Sequence, residues 1–217
     1  MQLTLEQLLS VVGLLDDAPG FDTPRERFRR FVTKRVADFA TARQLVEQCI
    51  HLPGGQSHRA LEDLVISLGR FLELEVVFGS YQHSSILAAG GWRARRQVFI
   101  HVAVWTDQTP ATEIARLTNG TAPHEPFTEQ EGESHVGLGI LTPLFPAATR
   151  LGDLKNSRGD LPLYTLSLRL LLQLTEMVVE KRVSQSFALA LFTRSPMLDE
   201  LVGELEILLN ARGAAAS

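Results

Sequence analysis

RQVFIHVAVWTDQTPATEIARL, residues 96–117, is the stretch on which the fold of this chain turns. Val98, Ile100, Val102 and Val104 project to one side of an extended segment, and Phe99, His101, Ala103 and Trp105 to the other. Apolar residues in both sets mark a central strand covered on each face. Thr109 and Pro110 then open a short helix that stops near Asn119 and Gly120. Strand, break and capped helix often carry catalytic residues in α/β enzymes. Here the middle of the strand offers only His101, Ala103 and Trp105 on one face. The histidine reads as hydrogen-bonded within the core, and Trp105 as a core anchor.

Upstream, about the first 55 residues are helical by hydrophobic periodicity. Leu5, Leu8, Leu9, Val12 and Leu15 recur at helical spacing. No basic segment precedes them, Glu6 interrupts them and Asp16 and Asp17 follow, so an amphipathic helix is expected and not a secretory leader. Asp22 or Thr23 caps a second helix, with Pro24 at its first position and Phe28, Phe31, Val32 and Val36 as its apolar stripe. A third, DFATARQLVEQCIHL, ends at PGG, which stops a helix. A fourth starts at Ser57, with Leu61, Leu64, Val65 and Leu68 inward. LELEVVFGSY alternates Leu72, Leu74, Val76 and Phe78 against Glu73, Glu75 and Val77 as a half-buried strand, and AAGGWRARR reads as a turn into the central strand.

Downstream, TAPHEPFTEQEGESH is expected as an exposed acidic loop, followed by strands in VGLGILTPLF and LPLYTLS. Ser167 caps LRLLLQLTEMVVEKR, and SQSFALALFTR and a helix opened by Ser195 and Pro196 follow. No internal repeat or low-complexity tract interrupts this order. It predicts an α/β fold, with a small mixed central sheet flanked by helices and an N-terminal all-helical extension. The expected division is a helical region at 1–55 and an α/β domain at 56–217.

The 217 residues, 45% hydrophobic and 21% charged, suffice for a substantial core. A net charge of −4 argues against a surface that is one polyanion-binding field, while leaving room for a local basic patch. The single cysteine, Cys49, makes no internal disulfide and fits a reducing compartment. No stretch approaches the ~18 uninterrupted apolar residues of a membrane span. A soluble, cytoplasmic protein with no membrane partner is expected.

Familiar catalytic signatures are missing. GGW lacks a following Lys-Ser pair and opens no helix, so there is no phosphate loop, and there is no serine-hydrolase elbow. One cysteine and six scattered histidines give no zinc-ligand spacing; His51 and His58, flanking LPGGQS, read as histidines at helix ends. No metal site or cofactor is expected. Two basic clusters stand out: Arg25, Arg27, Arg29, Arg30, Lys34 and Arg35 on the second helix, and Arg93, Arg95 and Arg96 beside Trp92. They read either as a phosphate-tracking patch with one stacking aromatic, or as a solvated helix face and a charged strand edge. On the first reading Arg29, Arg30, Lys34, Trp92, Arg93, Arg95 and Arg96 are the nucleic-acid contacts.

From about residue 57 to 174 the order of the pieces resembles the PD-(D/E)XK nuclease superfamily, the restriction-endonuclease-like fold. RALEDLVISLGRFLELEVVFG is similar to that family's helix and first strand, with Glu62 in the place of its helical glutamate. GGWRARRQVFIHVAVWTDQT is similar to its turn and motif strand. The resemblance implies two carboxylates holding a divalent cation that polarises a phosphate and activates water, with a lysine supporting the hydroxide. Aligned by apolar pattern, however, Gly90 or Gly91 stands at the acidic turn position and Ala103-Val104-Trp105 at Glu-x-Lys. A tryptophan in place of the lysine fills the cleft with about 200 Å² of apolar surface. The resemblance therefore implies a fold kept without its chemistry, with no catalytic residues and with Glu62, Glu75 and His101 as remnants. Glu62, Glu75 and Asp107 would converge only in a different register.

The expected function is thus a non-catalytic, nuclease-like binding or assembly module for a protein or a nucleic acid. The N-terminal helices and MLDELVGELEILL, with Leu198, Leu201, Leu205 and Leu208 on one stripe, are its candidate contact surfaces, including for a homodimer. Two alternatives are a metal-dependent nuclease with rearranged carboxylates, and a regulatory domain holding a small ligand beneath the loop at residues 121–134.

Overall fold

The computed structural model describes residues 4–16, 22–52, 54–79, 90–94, 98–107, 134–145 and 162–194. Among them the strands β1 (Glu75–Phe78), β2 (Gly90–Ala94), β3 (Val98–Trp105), β4 (Ser134–Leu141) and β5 (Leu163–Ser167) form one sheet in that spatial order. β1, β2 and β3 pair antiparallel, whereas β3, β4 and β5 pair parallel, so the sheet is mixed. The helices are α1 (Leu5–Val12), α2 (Pro24–Lys34), α3 (Phe39–His51), α4 (Gly55–Ser67), α5 (Leu168–Val179) and α6 (Gln185–Arg194). A 3-10 turn at Leu68–Leu72 continues α4. This is an α/β fold with a helical N-terminal part.

Local chemistry sets most helix starts. Thr4, Thr23, Asp38 and Ser167 each accept a hydrogen bond from a backbone N–H in the first turn of α1, α2, α3 and α5. Pro24 occupies the first position of α2, where its missing N–H costs nothing. α4 differs: it begins after Gly54, with no side-chain cap.

One face of the sheet carries Trp92, Ile100, Val102, Leu138, Ile140 and Leu166, all in the apolar core with the inner residues of α4 and α5, and Val76, partly buried against it. Leu5, Phe28, Val32, Leu45 and Val46 of the N-terminal helices join that same core. Burying each such side chain contributes about 1.5–3 kcal/mol. The other face carries Phe99, His101, Ala103 and Trp105 on β3, in register with His135, Gly137, Gly139 and Leu141 on β4. Phe99, Ala103 and Trp105 are fully buried, so both faces of the central strand are covered. Trp105 lies on Gly139, where a Cβ would come within 2.7 Å of the indole.

Two elements differ from the sequence expectation. GGWRA is strand β2 and not part of a turn. Its glycines answer to close approach within the sheet: a Cβ on Gly91 would collide with the Ile100 carbonyl and the Phe99 ring, and one on Gly90 (φ +143°) with the Val77 carbonyl. β1 begins only at Glu75, because Leu68–Leu72 coil as a 3-10 turn closed by Glu73 in the left-handed region (φ +56°). The expected helix at residues 109–120, the acidic loop up to residue 133, the last helix, and Arg95 and Arg96 lie outside the described residues. No helix among the described residues is long and apolar enough to cross a membrane.

Candidate functional site

The sheet register shows which of the expected site residues come together. Gly91 pairs directly with His101, and Ala103 and Trp105 follow on the same face of β3. Glu75 shares that face two strands away, exposed, with its Oε1 3.4 Å from Arg93 Nη1. Arg93 in turn lies over the Phe99 ring at 5.4 Å. His101 Nε2 and His135 Nδ1 are 3.0 Å apart, so one ring nitrogen donates to the other across β3 and β4. Glu62, on α4, is on the opposite side of the sheet. Glu62, Glu75 and His101, expected as remnants of a catalytic site, therefore do not share one.

Two of the six α2 cations, Arg25 and Arg29, are spent inside the protein, whereas Arg27, Arg30, Lys34 and Arg35 are exposed. Arg25, Phe28, Arg29 and Val32 lie along the buried side of α2. Both arginines converge on Asp63, which is fully buried: Arg25 Nε donates to Oδ2 at 3.0 Å and Arg29 Nε to Oδ1 at 2.9 Å. Arg25 Nη2 also reaches Glu62 Oε2 at 2.9 Å, and Arg29 Nη1 donates to the Gly79 carbonyl at 2.9 Å. Burial pushes the Asp63 carboxyl above its ordinary value, with the two guanidinium groups pulling the other way. For Glu62, burial also acts upward, but His58 and Arg25 outweigh it and hold the carboxyl below its ordinary value.

Arg29 thus cannot serve as a phosphate contact, since a buried charge removed from its partners costs several kcal/mol, about 3–5. Trp92 is equally unavailable for stacking: it is fully buried and its Nε1–H donates to the Ile66 carbonyl at 2.7 Å. Arg30 is exposed and paired with Asp22 at 2.8 Å, and Lys34 is exposed at the end of α2. The signal for burial was present in the sequence. Positions 25, 28, 29 and 32 are spaced i, i+3, i+4 and i+7, which is one helix face.

A cleft of about 380 Å³ opens elsewhere. Cys49, Ile50, His51 and Leu52 line it from the end of α3, and Gly54, Ser57, His58 and Leu61 from the start of α4. Thr106, Asp107, Thr142 and Leu144 close it from the segments that follow β3 and β4. Ligands in open α/β sheets commonly bind beyond the carboxyl ends of the parallel strands, and the cleft occupies that place. Burial pushes the Cys49 thiol up, so it remains a protonated, apolar part of the wall. Thr142 is only 4% exposed, and its Oγ1 has no hydrogen-bond partner. His58 Nε2 lies 3.4 Å from Glu62 Oε1, which ties the cleft to the buried ion pairs. Among the described residues no three His, Cys, Asp or Glu side chains are grouped so as to hold a metal ion.

The histidines flanking LPGGQS thus line one cleft, an association that their spacing alone did not reveal. Its sequence signal is a helix start supplied by glycines, without the Ser, Thr, Asp or Asn that usually caps one. Compared with known proteins, the chain matches no protein-family model, and no curated protein or solved structure is found to be similar.

Proposed function

We propose that this chain is a non-catalytic binding domain whose strand order resembles that of the PD-(D/E)XK nucleases. The β2–β3 register carries the reading: Gly91 faces His101 where carboxylates would have to converge on a cation, and Ala103 and Trp105 take the next positions. Glu62 and Glu75 do not substitute for them. The sheet separates them, and each is held by arginine, Glu62 by Arg25 and Glu75 by Arg93. A protein partner or a second copy is supported by Val11 and Leu14, which stand 84% and 70% exposed at the end of α1.

The test is incubation of the full chain with labelled single- and double-stranded DNA and RNA, in magnesium, manganese or chelator. No metal-dependent cutting is expected; cutting that Glu62→Gln abolishes would overturn the proposal. Binding without cutting would make nucleic acid the partner, through exposed groups such as Arg30 and Lys34. Without binding, sedimentation of the chain over a concentration series tests for self-association.

A second reading, a regulatory domain that holds a small ligand, is favoured by the cleft at the start of α4. Its mark is a ligand-dependent rise in thermal stability.

A further inference from the structure

We propose that the cleft between α3, α4 and the ends of β3 and β4 binds a small organic oxyanion, a carboxylate or phosphate monoester with a short apolar body. The proposal rests on the small-ligand reading and adds the chemistry of the ligand.

Three observations point to a negative group. α4 is 13 residues long and starts after Gly54 (φ +108°) with no side-chain cap and no acidic residue in its first turn. The positive end of its dipole therefore faces the cleft without a carboxylate of its own. A Cβ on Gly54 would meet nothing within 4 Å, so the space before the helix is open. Independently, Thr142 is among the residues that line the cleft, and its hydroxyl is buried with no partner. Buried polar groups are nearly always satisfied, and a bound acceptor would complete this one. His51 and His58, whose rings can carry N–H donors, line the same cleft.

The remaining lining describes the rest of the ligand. Ile50, Leu52, Leu61 and Leu144 supply apolar wall, and Leu144 is 54% exposed for a leucine at a cleft. Asp107 is an exposed carboxylate on the lining, which disfavours a second negative charge and can accept from a ligand hydroxyl. A volume of about 380 Å³ suits a compact organic molecule.

The experiment is calorimetric titration of the full chain with inorganic phosphate, phenyl phosphate, benzoate and benzyl alcohol, alongside thermal melts. Phenyl phosphate or benzoate is expected to bind saturably, at least about tenfold more tightly than benzyl alcohol. The tighter of the two identifies the anionic group, and inorganic phosphate should bind more weakly than phenyl phosphate for want of an apolar body. Thr142→Val should weaken the anion by about tenfold without lowering Tm. Asp107→Asn, at an exposed position, should tighten it. Equal binding of benzyl alcohol and the anions would overturn the oxyanion and keep the small-ligand reading. No saturable binding by any of the four would overturn both. Unchanged affinity in both variants would place the ligand elsewhere and overturn the proposal.

Discussion

α4 meets polar groups in two places, and they are built by opposite rules. At its middle, Asp63 and Glu62 are matched by Arg25 and Arg29, and the carboxylate oxygens of Asp63 each accept from a guanidinium. At its start, the helix has no side-chain cap, and Thr142 nearby has no hydrogen-bond partner. The first arrangement locks α2 to α4. The second leaves donors for something that is not part of the chain. Buried charge that is matched internally is a structural tie, whereas polar capacity left open beside a cleft is capacity for a ligand. His58 joins the two, lining the cleft while facing Glu62.

Asp63→Ala tests the matched side with the largest expected effect. It strips the shared partner from two buried arginines and should cost about 3–5 kcal/mol in urea unfolding. A loss below about 1 kcal/mol would mean that the seam is solvated. Glu62→Gln should cost less, because Asp63 still holds Arg25. Its effect also has a pH signature. The Glu62 carboxyl lies below its ordinary value, so its pairing stabilises the fold fully above the unfolded value, about 4.3, and the benefit is lost as pH falls through the folded value. The Tm gap between wild type and variant should therefore be widest above about pH 5 and narrow as pH falls below the unfolded value, closing only once it has passed the folded one. Asp63 shifts upward and titrates in the opposite sense, and because Glu62 contributes to that shift the variant also eases it.

Thr142→Val sharpens the open side: it removes a hydroxyl without a partner, so stability should hold or rise by up to about 1 kcal/mol. A clear loss would reveal a hydrogen bond made by that hydroxyl in solution. His58→Ala, cutting the half-exposed link between the two places, should cost less than about 1 kcal/mol.

The central strand was legible because β3 is apolar on both faces, a pattern that only a covered strand explains. The start of α2, read as capped by Asp22 or Thr23, and the start of α5 at Ser167 were legible from single polar residues next to apolar runs. β2 was not, because paired glycines signal a turn locally, whereas here they are required by the Val77 and Ile100 carbonyls of neighbouring strands. The upstream reach of β1 misled for a related reason: Leu72 and Leu74 are both buried, one from a 3-10 turn and one from the link to the strand. The shared helix face with Phe28 and Val32 marks Arg25 and Arg29 as inward, but their partner Asp63 was not legible, because that pairing spans more than thirty positions. The cleft draws on α3, α4 and the ends of two strands, so no single window of sequence contains it.

The two tryptophans of the chain, Trp92 and Trp105, lie on opposite faces of the sheet, and both are fully shielded. Trp92 is anchored to α4 through Ile66, while Trp105 rests on Gly139 and tilts against Phe145. Intrinsic fluorescence is thereby a two-channel gauge. With Trp105→Phe the remaining emission reports the helical layer alone, and with Trp92→Phe it reports the reverse side. Coincident transitions in the two would show that both layers melt as one cooperative unit.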